Sequence, residues 1–356
     1  MGSRHLRPAA PGGSGLRIVR ARRCCPSGRG VVRPAETLGP AARLAWNACM
    51  NDVWLARDLM DRGVAPSRLS ALRRSGRLTS VRRGALTLPG QRSAVENHRL
   101  CIEGTWPQIH PGGAISHWSA AVLHDLWLLH PRLDEVWVTR PGHTGGKIRS
   151  AVHMVHCPLG EGELTEVDGI VCTSPARTVI DVARHDGFLP GLVMADDFLR
   201  RGGHAAELWA VVRAGSRRPG NATARRVVAC ADGRSESPQE SHLRGLMEQF
   251  CLPRPTPQLV INDQSGRFVA RVDLALEESR LAIEYDGEGK YMASDGPSQL
   301  LEVLAREKAR EQTIVDAGWW PLRVRKADMV RPQELMRRIR LTSDERRRQL
   351  SRNSAA

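Results

Sequence analysis

The spacing of apolar residues changes several times along this chain. In "AARLAWNACM" (41–50) and "DVWLARDLMDRG" (52–63) apolar residues recur at helical spacing, and Gly63 ends the second segment. "APSRLSALRRSG" (65–76) predicts a third short helix, with Leu69 and Leu72 inward and Gly76 at its end. "RLTSVRRGALTL" (77–88) alternates instead, which predicts two strands about a turn at Arg82-Arg83-Gly84. The C-terminal third alternates again over "RFVARVDLAL" (267–276) and "RLAIEYDG" (280–287). It then returns to helical spacing over "SQLLEVLAREKAREQTIVDAG" (298–318).

The segments between these mix the two periods. Helix "SHWSAAVLHDLWLL" (116–129) precedes strands "DEVWVTRP" (134–141) and "KIRSAVHMVHC" (147–157). "DGIVCTSPARTVIDVARHDG" (168–187) reads as a strand feeding a helix, with Ser174 as N-cap and Pro175 at the first helical position. Helices follow around "LPGLVMADDFLRRG", "AAELWAVVRAG" and "NATARRVVACADG". After the polar stretch "ADGRSESPQ" (231–239), helix "SPQESHLRGLMEQF" starts at Ser237, with Glu240 three residues on as in a capping box. Strand "LVIND" (259–263), closing strand "WWPLRVRK" (319–326) and a basic terminal helix complete the third region.

These elements predict an α/β multidomain chain with an N-terminal winged helix-turn-helix over 41–90. A central mixed α/β region (91–230) and a C-terminal α/β unit (232–342) follow. A basic disordered tail is expected over 1–40, with Met50 opening the first ordered-looking segment, and a flexible tail over 343–356. No internal repeat is evident.

Charge sharpens the reading of the first region. The 356 residues carry a formal net charge of +15, yet residues 1–92 alone hold 18 Arg or Lys against 4 acids. The remainder is nearly balanced. A basic end on a neutral body suits a polyanion, most simply double-stranded DNA, while the arginines before position 50 fit a solubilising tail equally well. In a winged helix, Ser67, Arg68, Arg73 and Arg74 lie on or beside the helix that enters the major groove. Arg82 and Arg83 sit at the wing tip, placed for phosphate contact. The planar fork of arginine bonds phosphate or guanine edges with two N–H groups. A small helical domain with a solvated basic face has the same pattern.

The eight cysteines form no Cys-x-x-Cys pair, which predicts reduced thiols and a cytoplasmic protein. No apolar run approaches the ~18 residues of a membrane span, so no membrane partner is expected. His124 and Asp125 are helix neighbours that do not face each other. His153 and His156 alternate across a strand beside Cys157, so they read as structural histidines rather than metal ligands.

"RLAIEYDGEGK" (280–290) raises the sharpest chemical question, because Glu284 and Asp286 point to one face of a strand. A hairpin turning at Glu278-Ser279 pairs residues whose numbers sum to 557. Val272, Leu274 and Leu276 then share a core face with Tyr285, Ile283 and Leu281. Arg271, Asp273 and Ala275 face the other way with Asp286, Glu284 and Ala282. Asp273 then stands opposite Glu284 with Cβ atoms ~5 Å apart. Two such charges repel by roughly 3 kcal/mol at an effective dielectric of ~20. Either a divalent cation binds between them, or one acid is protonated, or Arg271 and Lys290 neutralise the cluster. Ala275 and Ala282 leave room there for a metal, a helix or backbone.

Asp on one strand, Glu on the next and a preceding helical Glu resemble the PD-(D/E)XK nuclease pattern. "SPQES", "RVDLAL", "AIEYDGEGKY", "EKAREQ" and "GWWPLRV" resemble, over about 110 residues, a domain of unknown function common in actinobacteria and related to very-short-patch-repair endonucleases. "GVAPSRLSALRRSGRLTSVRRGALTLPG", "HWSAAVLHDLWLL" and "VDGIVCTSPARTVIDVA" resemble the AbiEi-type antitoxin region. The first resemblance implies a restriction-endonuclease-like domain in which Glu240 is the helical acid, Asp273 and Glu284 hold Mg²⁺ or Mn²⁺, and phosphodiester bonds are hydrolysed. The nuclease pattern has a lysine two residues after the Glu; here Asp286 stands there, as a third metal ligand or an acid neutralised by Arg271. A relocated ammonium would come from Lys290 or Lys308. The second resemblance implies DNA binding, transcriptional autoregulation and a toxin partner in a type IV toxin–antitoxin operon. The two implied functions are thus a metal-dependent endonuclease and a non-enzymatic repressor or antitoxin.

Overall fold

Among the described residues, three separate sheets organise the chain. The computed structural model describes residues 53–109, 112–142, 147–149, 151–160, 162–286 and 297–355. The expected tail over 1–40, the helix over 41–50 and Lys290 lie outside the described residues.

The first sheet is built from β1 (Trp54–Leu55), β2 (Thr79–Arg82) and β3 (Ala85–Thr87), in the order β1-β3-β2. Between β1 and β2 come α1 (Ala56–Asp61) and α2 (Pro66–Arg74). The helix expected from residue 52 therefore begins four residues late. Trp54 and Leu55 instead pair with Leu86 and Ala85. The strand wins because it buries Val53 and Leu55 against Ala85 and Leu100, whereas α1 itself buries no residue. Gly84 makes the β2–β3 turn at φ +79°, a conformation that costs other residues a Cβ clash.

The second sheet is mixed and follows α3 (Ala94–Thr105). In chain order its parts are β4 (Ala114–Ile115), α4 (His117–Leu123), β5 (Val136–Arg140), β6 (Lys147–Arg149), β7 (Val152–His156), β8 (Leu164–Val167) and β9 (Ile170–Thr173). The strand order is β6-β7-β5-β4-β9-β8. Two sequence expectations change here. The single strand expected over 147–157 is a β6–β7 hairpin, turned where Ala151 takes φ +63°. The helix expected to reach 129 stops at Leu123, because Asp125 takes φ +52° and the Trp127 amide donates to Asp197 at 3.0 Å.

Helices α5 (Pro175–Asp186), α6 (Phe188–Arg200), α7 (Ala205–Ala214) and α8 (Asn221–Cys230) pack over this sheet. Their core holds Trp118, Trp137, Ile180, Leu192, Met194 and Leu208. Ser174 caps α5 as expected, its Oγ accepting from the Arg177 amide.

The third sheet lies between helices on both faces. Its elements are α9 (Pro238–Gln249), β10 (Thr256–Asn262), β11 (Phe268–Leu276), β12 (Leu281–Asp286), α10 (Pro297–Asp316), β13 (Trp320–Arg325), α11 (Lys326–Met329) and α12 (Pro332–Ala355). The order is β10-β11-β12-β13, with β12 and β13 parallel and the other neighbours antiparallel. Leu274, Leu276, Leu281 and Ile283 pack on α9 and α12 through Leu243, Met247, Leu335 and Ile339. The opposite face packs on α10 through Ile314.

The flexible tail expected after 342 is instead the last part of α12. Ser343 is buried there and its hydroxyl lies 3.0 Å from that of Ser279. The polar stretch read as a boundary around 231–239 is also packed: Ser235 is buried, and the Asp232 amide donates to Asp196 at 2.8 Å. Residues 49–356 accordingly form one compact unit. Among the described residues the cysteines are free thiols and no helix is long and apolar enough to cross a membrane. The chain is mixed α/β with several sheets, as its alternating periods predict.

Candidate functional site

Leu69 and Leu72 anchor α2 by burial, which turns Ser67, Arg68, Arg73 and Arg74 outward. Arg83 is exposed at the β2–β3 turn. An open cleft of about 550 Å³ runs between helix and turn, lined by Met60, Leu69, Ser70, Arg73 and Arg83. A second depression of about 500 Å³ brings in Arg74, Thr79 and Ser80. Arg73 thus lines both depressions, beside Arg83 in the first and Arg74 in the second, while Ser67 and Arg68 are exposed on the same helix.

Arg82 departs from this group. The register of β2 against β3 shifts between Ser80 and Arg82, which turns the Arg82 side chain inward. Its guanidinium donates to the Thr105 hydroxyl on α3, and burial lowers its pKa. Arg82 thus packs between the first sheet and α3, while it also lines the cleft that holds Arg73 and Arg83.

The β11–β12 register matches the expectation: Leu274 pairs with Ile283, Ala275 with Ala282 and Leu276 with Leu281. One residue further, the same register sets Asp273 across from Glu284, but the paired ladder ends before them. Asp273 instead accepts the Tyr285 amide at 2.8 Å, so one of its oxygens lies between the strands. On the other side of β11, pairing skips Gln258, which takes φ +53° between the pairs Pro257–Leu274 and Leu259–Val272. The faces exchange at this point. Val272, expected on the face of Leu274, packs with Ala275 and Ala282 against Ile314. A helix, not an ion, fills the room beside the two small residues.

The cation on Glu284 comes from α10. The Arg310 guanidinium lies 2.6 Å from Glu284 Oε1 and also donates to the Arg271 carbonyl at 3.0 Å. Arg271, expected to neutralise the acids, pairs with Glu236 at 2.9 Å. Arg323, the parallel partner of Glu284 on β13, is held by Glu307 at 3.2 Å and Glu311 at 3.6 Å. Lys308 is exposed and lies two residues from Arg310, so it projects from nearly the opposite side of α10.

Glu240 sits in the first turn of α9 as expected, buried and well bonded. It accepts from the Glu236 amide (2.9 Å), the Ser237 hydroxyl (2.7 Å) and the Gln258 side chain (2.8 Å). Asp286 closes β12 opposite Arg325. Among the described residues no group of three or more His, Cys, Asp or Glu stands close enough to hold a metal ion.

Two hard carboxylates suit Mg²⁺ or Mn²⁺ in kind. The arrangement around them does not, because a guanidinium already occupies Glu284. Sequence reasoning missed Arg310 and Gln258. Glu307, Arg310, Glu311 and Ile314 recur at three- and four-residue spacing, and that stripe was the available signal for Arg310. Gln258 had none, since its importance comes from a backbone conformation.

No family model matches the sequence. Two curated proteins of Mycobacterium tuberculosis, the uncharacterized proteins Rv2248 (strain ATCC 25618 / H37Rv) and MT2308 (strain CDC 1551 / Oshkosh), are similar to it. Each is 35% identical over 167 residues, which is 47% of this chain and 58% of the relative. The chain thus spans less than two thirds of the length of these relatives. The crystal structure of the RV2827C protein from Mycobacterium tuberculosis is a weaker match. Its TM-score is 0.36 and its identity 17%, covering 63% of this chain and 83% of that one. A likeness that slight carries no argument.

Proposed function

We propose that the protein binds double-stranded DNA through a winged helix-turn-helix made of α1, α2 and the first sheet. In this reading α2 enters the major groove and Arg83 reaches the phosphate backbone. The observation that carries it is the exposure of Arg68, Arg73, Arg74 and Arg83, with Arg73 and Arg83 lining one open cleft and no acidic residue in the first turn of α2. The C-terminal unit, read as a restriction-endonuclease-like domain, then serves binding or regulation, as in a repressor or antitoxin that answers to a toxin partner. The ion pair of Glu284 with Arg310 supports a non-cutting role.

The test is the salt dependence of duplex DNA binding. Each phosphate contact contributes about 0.9 to the slope of log affinity against log salt. Replacing Arg73, Arg74 and Arg83 together by alanine is expected to flatten that slope by about 2 to 3. An unchanged slope in the folded triple variant overturns the assignment.

A second reading, a Mg²⁺- or Mn²⁺-dependent endonuclease, draws support from the register that sets Asp273 across from Glu284. Plasmid cleavage in Mg²⁺ or Mn²⁺, abolished by Glu284→Ala, would establish it. Intact plasmid in the presence of bound protein supports the regulator.

A further inference from the structure

Arg177, Asp181 and Arg184 recur at four- and three-residue spacing on α5 and so share one face. Arg177 is fully engaged. Its Nε donates to both oxygens of Asp181 at 2.8 and 2.7 Å, and its Nη2 to the Cys157 sulfur at 3.4 Å. Its Nη1 donates to Glu163 at 2.6 Å and to the Pro158 carbonyl at 3.3 Å. Burial acts to lower its pKa, but Asp181 and Glu163 outweigh burial and raise it. Arg184 lacks that compensation. Its Nε and Nη2 donate to Asn221 at 3.1 and 2.8 Å, yet its Nη1, in a side chain only 7% exposed, makes no hydrogen bond. Asp181 Oδ1 stands 3.6 Å from that nitrogen, beyond hydrogen-bonding reach. Burial chiefly lowers the Arg184 pKa, Asp181 opposes it, and Arg218 and Arg177 add to it.

Arg218, in the loop between α7 and α8, brings a third guanidinium. Its Nη2 donates to the same Pro158 carbonyl at 3.0 Å, and its Nη1 is again buried without a hydrogen bond. A Cβ on Gly215 would stand 2.9 Å from the Arg184 guanidinium carbon and 3.0 Å from Arg218 Cδ, so the bare glycine lets both side chains pass one point. Three guanidiniums against Glu163 and Asp181 leave one positive charge over. Two buried N–H groups on neighbouring arginines, with a surplus charge between them, are costly unless an anion meets them. Pro158 is exposed and Arg218 half-buried, which opens the cluster to solvent.

We propose that Arg184 and Arg218 bind a small tetrahedral oxyanion, either inorganic phosphate or the phosphoryl end of a small monoester, through their Nη1 groups. Guanidinium N–H groups suit phosphoryl oxygens, and bonds between the two are charge-assisted. Asn221 and the Pro158 carbonyl hold the two arginines in place before the anion arrives. The inference stands independently of DNA binding by the first region.

The experiment is a calorimetric titration of inorganic phosphate into the full chain at fixed ionic strength. Wild type is expected to bind at a saturable site, and Arg218→Gln, which removes one charge, to bind about tenfold more weakly. Joint replacement of Arg73, Arg74 and Arg83 by alanine is expected to leave the affinity unchanged. Wild type without saturable binding up to about 10 mM phosphate overturns the proposal and needs no variant. Equal binding by wild type and Arg218→Gln overturns it too, as does a loss confined to the triple variant, which would put the anion on the basic first region. If Arg218→Gln does not fold, Arg218→Lys, which replaces the fork by a single ammonium, must bind more weakly than wild type, and equal binding overturns the proposal. Methyl phosphate, titrated in parallel, distinguishes the source. Binding that the Arg218 variant weakens marks a monoester site, whereas such binding by inorganic phosphate alone marks a free anion; either result upholds the arginine site.

Discussion

Arg244 of α9 and Asp196 of α6 form an ion pair at 2.5 Å that joins the helical layer over the second sheet to the third sheet's first helix. Asp196 is fully buried, and burial raises its pKa even against the attraction of Arg244. It also accepts the Asp232 amide, while Arg244 donates to the Cys230 carbonyl at 2.6 Å. Removing one partner leaves the other charge buried and alone. Arg244→Met is expected to cost about 3–5 kcal/mol in urea unfolding. Adding Asp196→Asn, which keeps an acceptor for the Asp232 amide, should recover part of that loss. A double variant no more stable than Arg244→Met would show that the pair matters through packing alone.

The neighbours Arg82 and Arg83 should separate stability from DNA binding. Arg83 is exposed, so Arg83→Ala is expected to leave stability within about 0.5 kcal/mol. It should lower the DNA salt slope by about 1. Arg82 bonds Thr105 from a partly buried position, and Arg82→Ala is expected to cost about 1–2 kcal/mol. The reverse pattern, a stability loss only at Arg83, would contradict the inward turn at Arg82.

Acid should weaken the fold through buried neutral histidines. Burial chiefly lowers the pKa of His117 to about 4, with His185 and Arg177 acting the same way and Asp181 and Asp186 opposing. Burial and the neighbouring His130 lower His242 to about 4 as well. In the unfolded chain both titrate near 6.5. Their contribution is therefore complete above pH 6.5 and is lost as pH falls toward 4, because the unfolded state takes up protons first. The loss is of order 3 kcal/mol for His117 and smaller for His242, which is partly exposed. His117→Asn suits the left-handed backbone at this position (φ +49°) and should flatten the stability–pH curve across that window. An unaltered curve would place the acid sensitivity elsewhere.

Two glycines test how closely α6 is packed. A Cβ on Gly191 would stand 2.6 Å from the Ala183 Cβ and 2.8 Å from its Cα, so α5 and α6 would have to part. Gly191→Ala is expected to cost about 1–3 kcal/mol. A Cβ on Gly245 of α9 meets side-chain ends rather than backbone, Leu189 at 2.7 Å and Leu192 at 3.0 Å, and these yield more readily than a neighbouring Cα. Its thermal midpoint should fall less than that of Gly191→Ala.

Much of the fold is legible locally. Ser174 and Ser237 cap α5 and α9 where the spacing places them, because a cap involves only the next three residues. The basic surface of α2 is legible too, since burial of Leu69 and Leu72 orients that helix. The misreadings share a cause. Trp54-Leu55, Asp125, Gln258 and the end of α12 depend on partners distant in sequence, or on single backbone angles that periodicity does not encode.

The carboxylate face divides in the same way. By itself the sequence determined the β11–β12 register that sets Leu274 against Ile283 and Ala275 against Ala282, because strand alternation and a short turn leave the hairpin that pairing. Tertiary structure alone decided which of the basic residues meets Glu284. Arg271, Lys290, Lys308 and Arg310 are all basic, and nothing local ranks them. The packing of Ile314 on Ala275 and Ala282 sets how α10 lies on the sheet, and that placement brings Arg310 to Glu284.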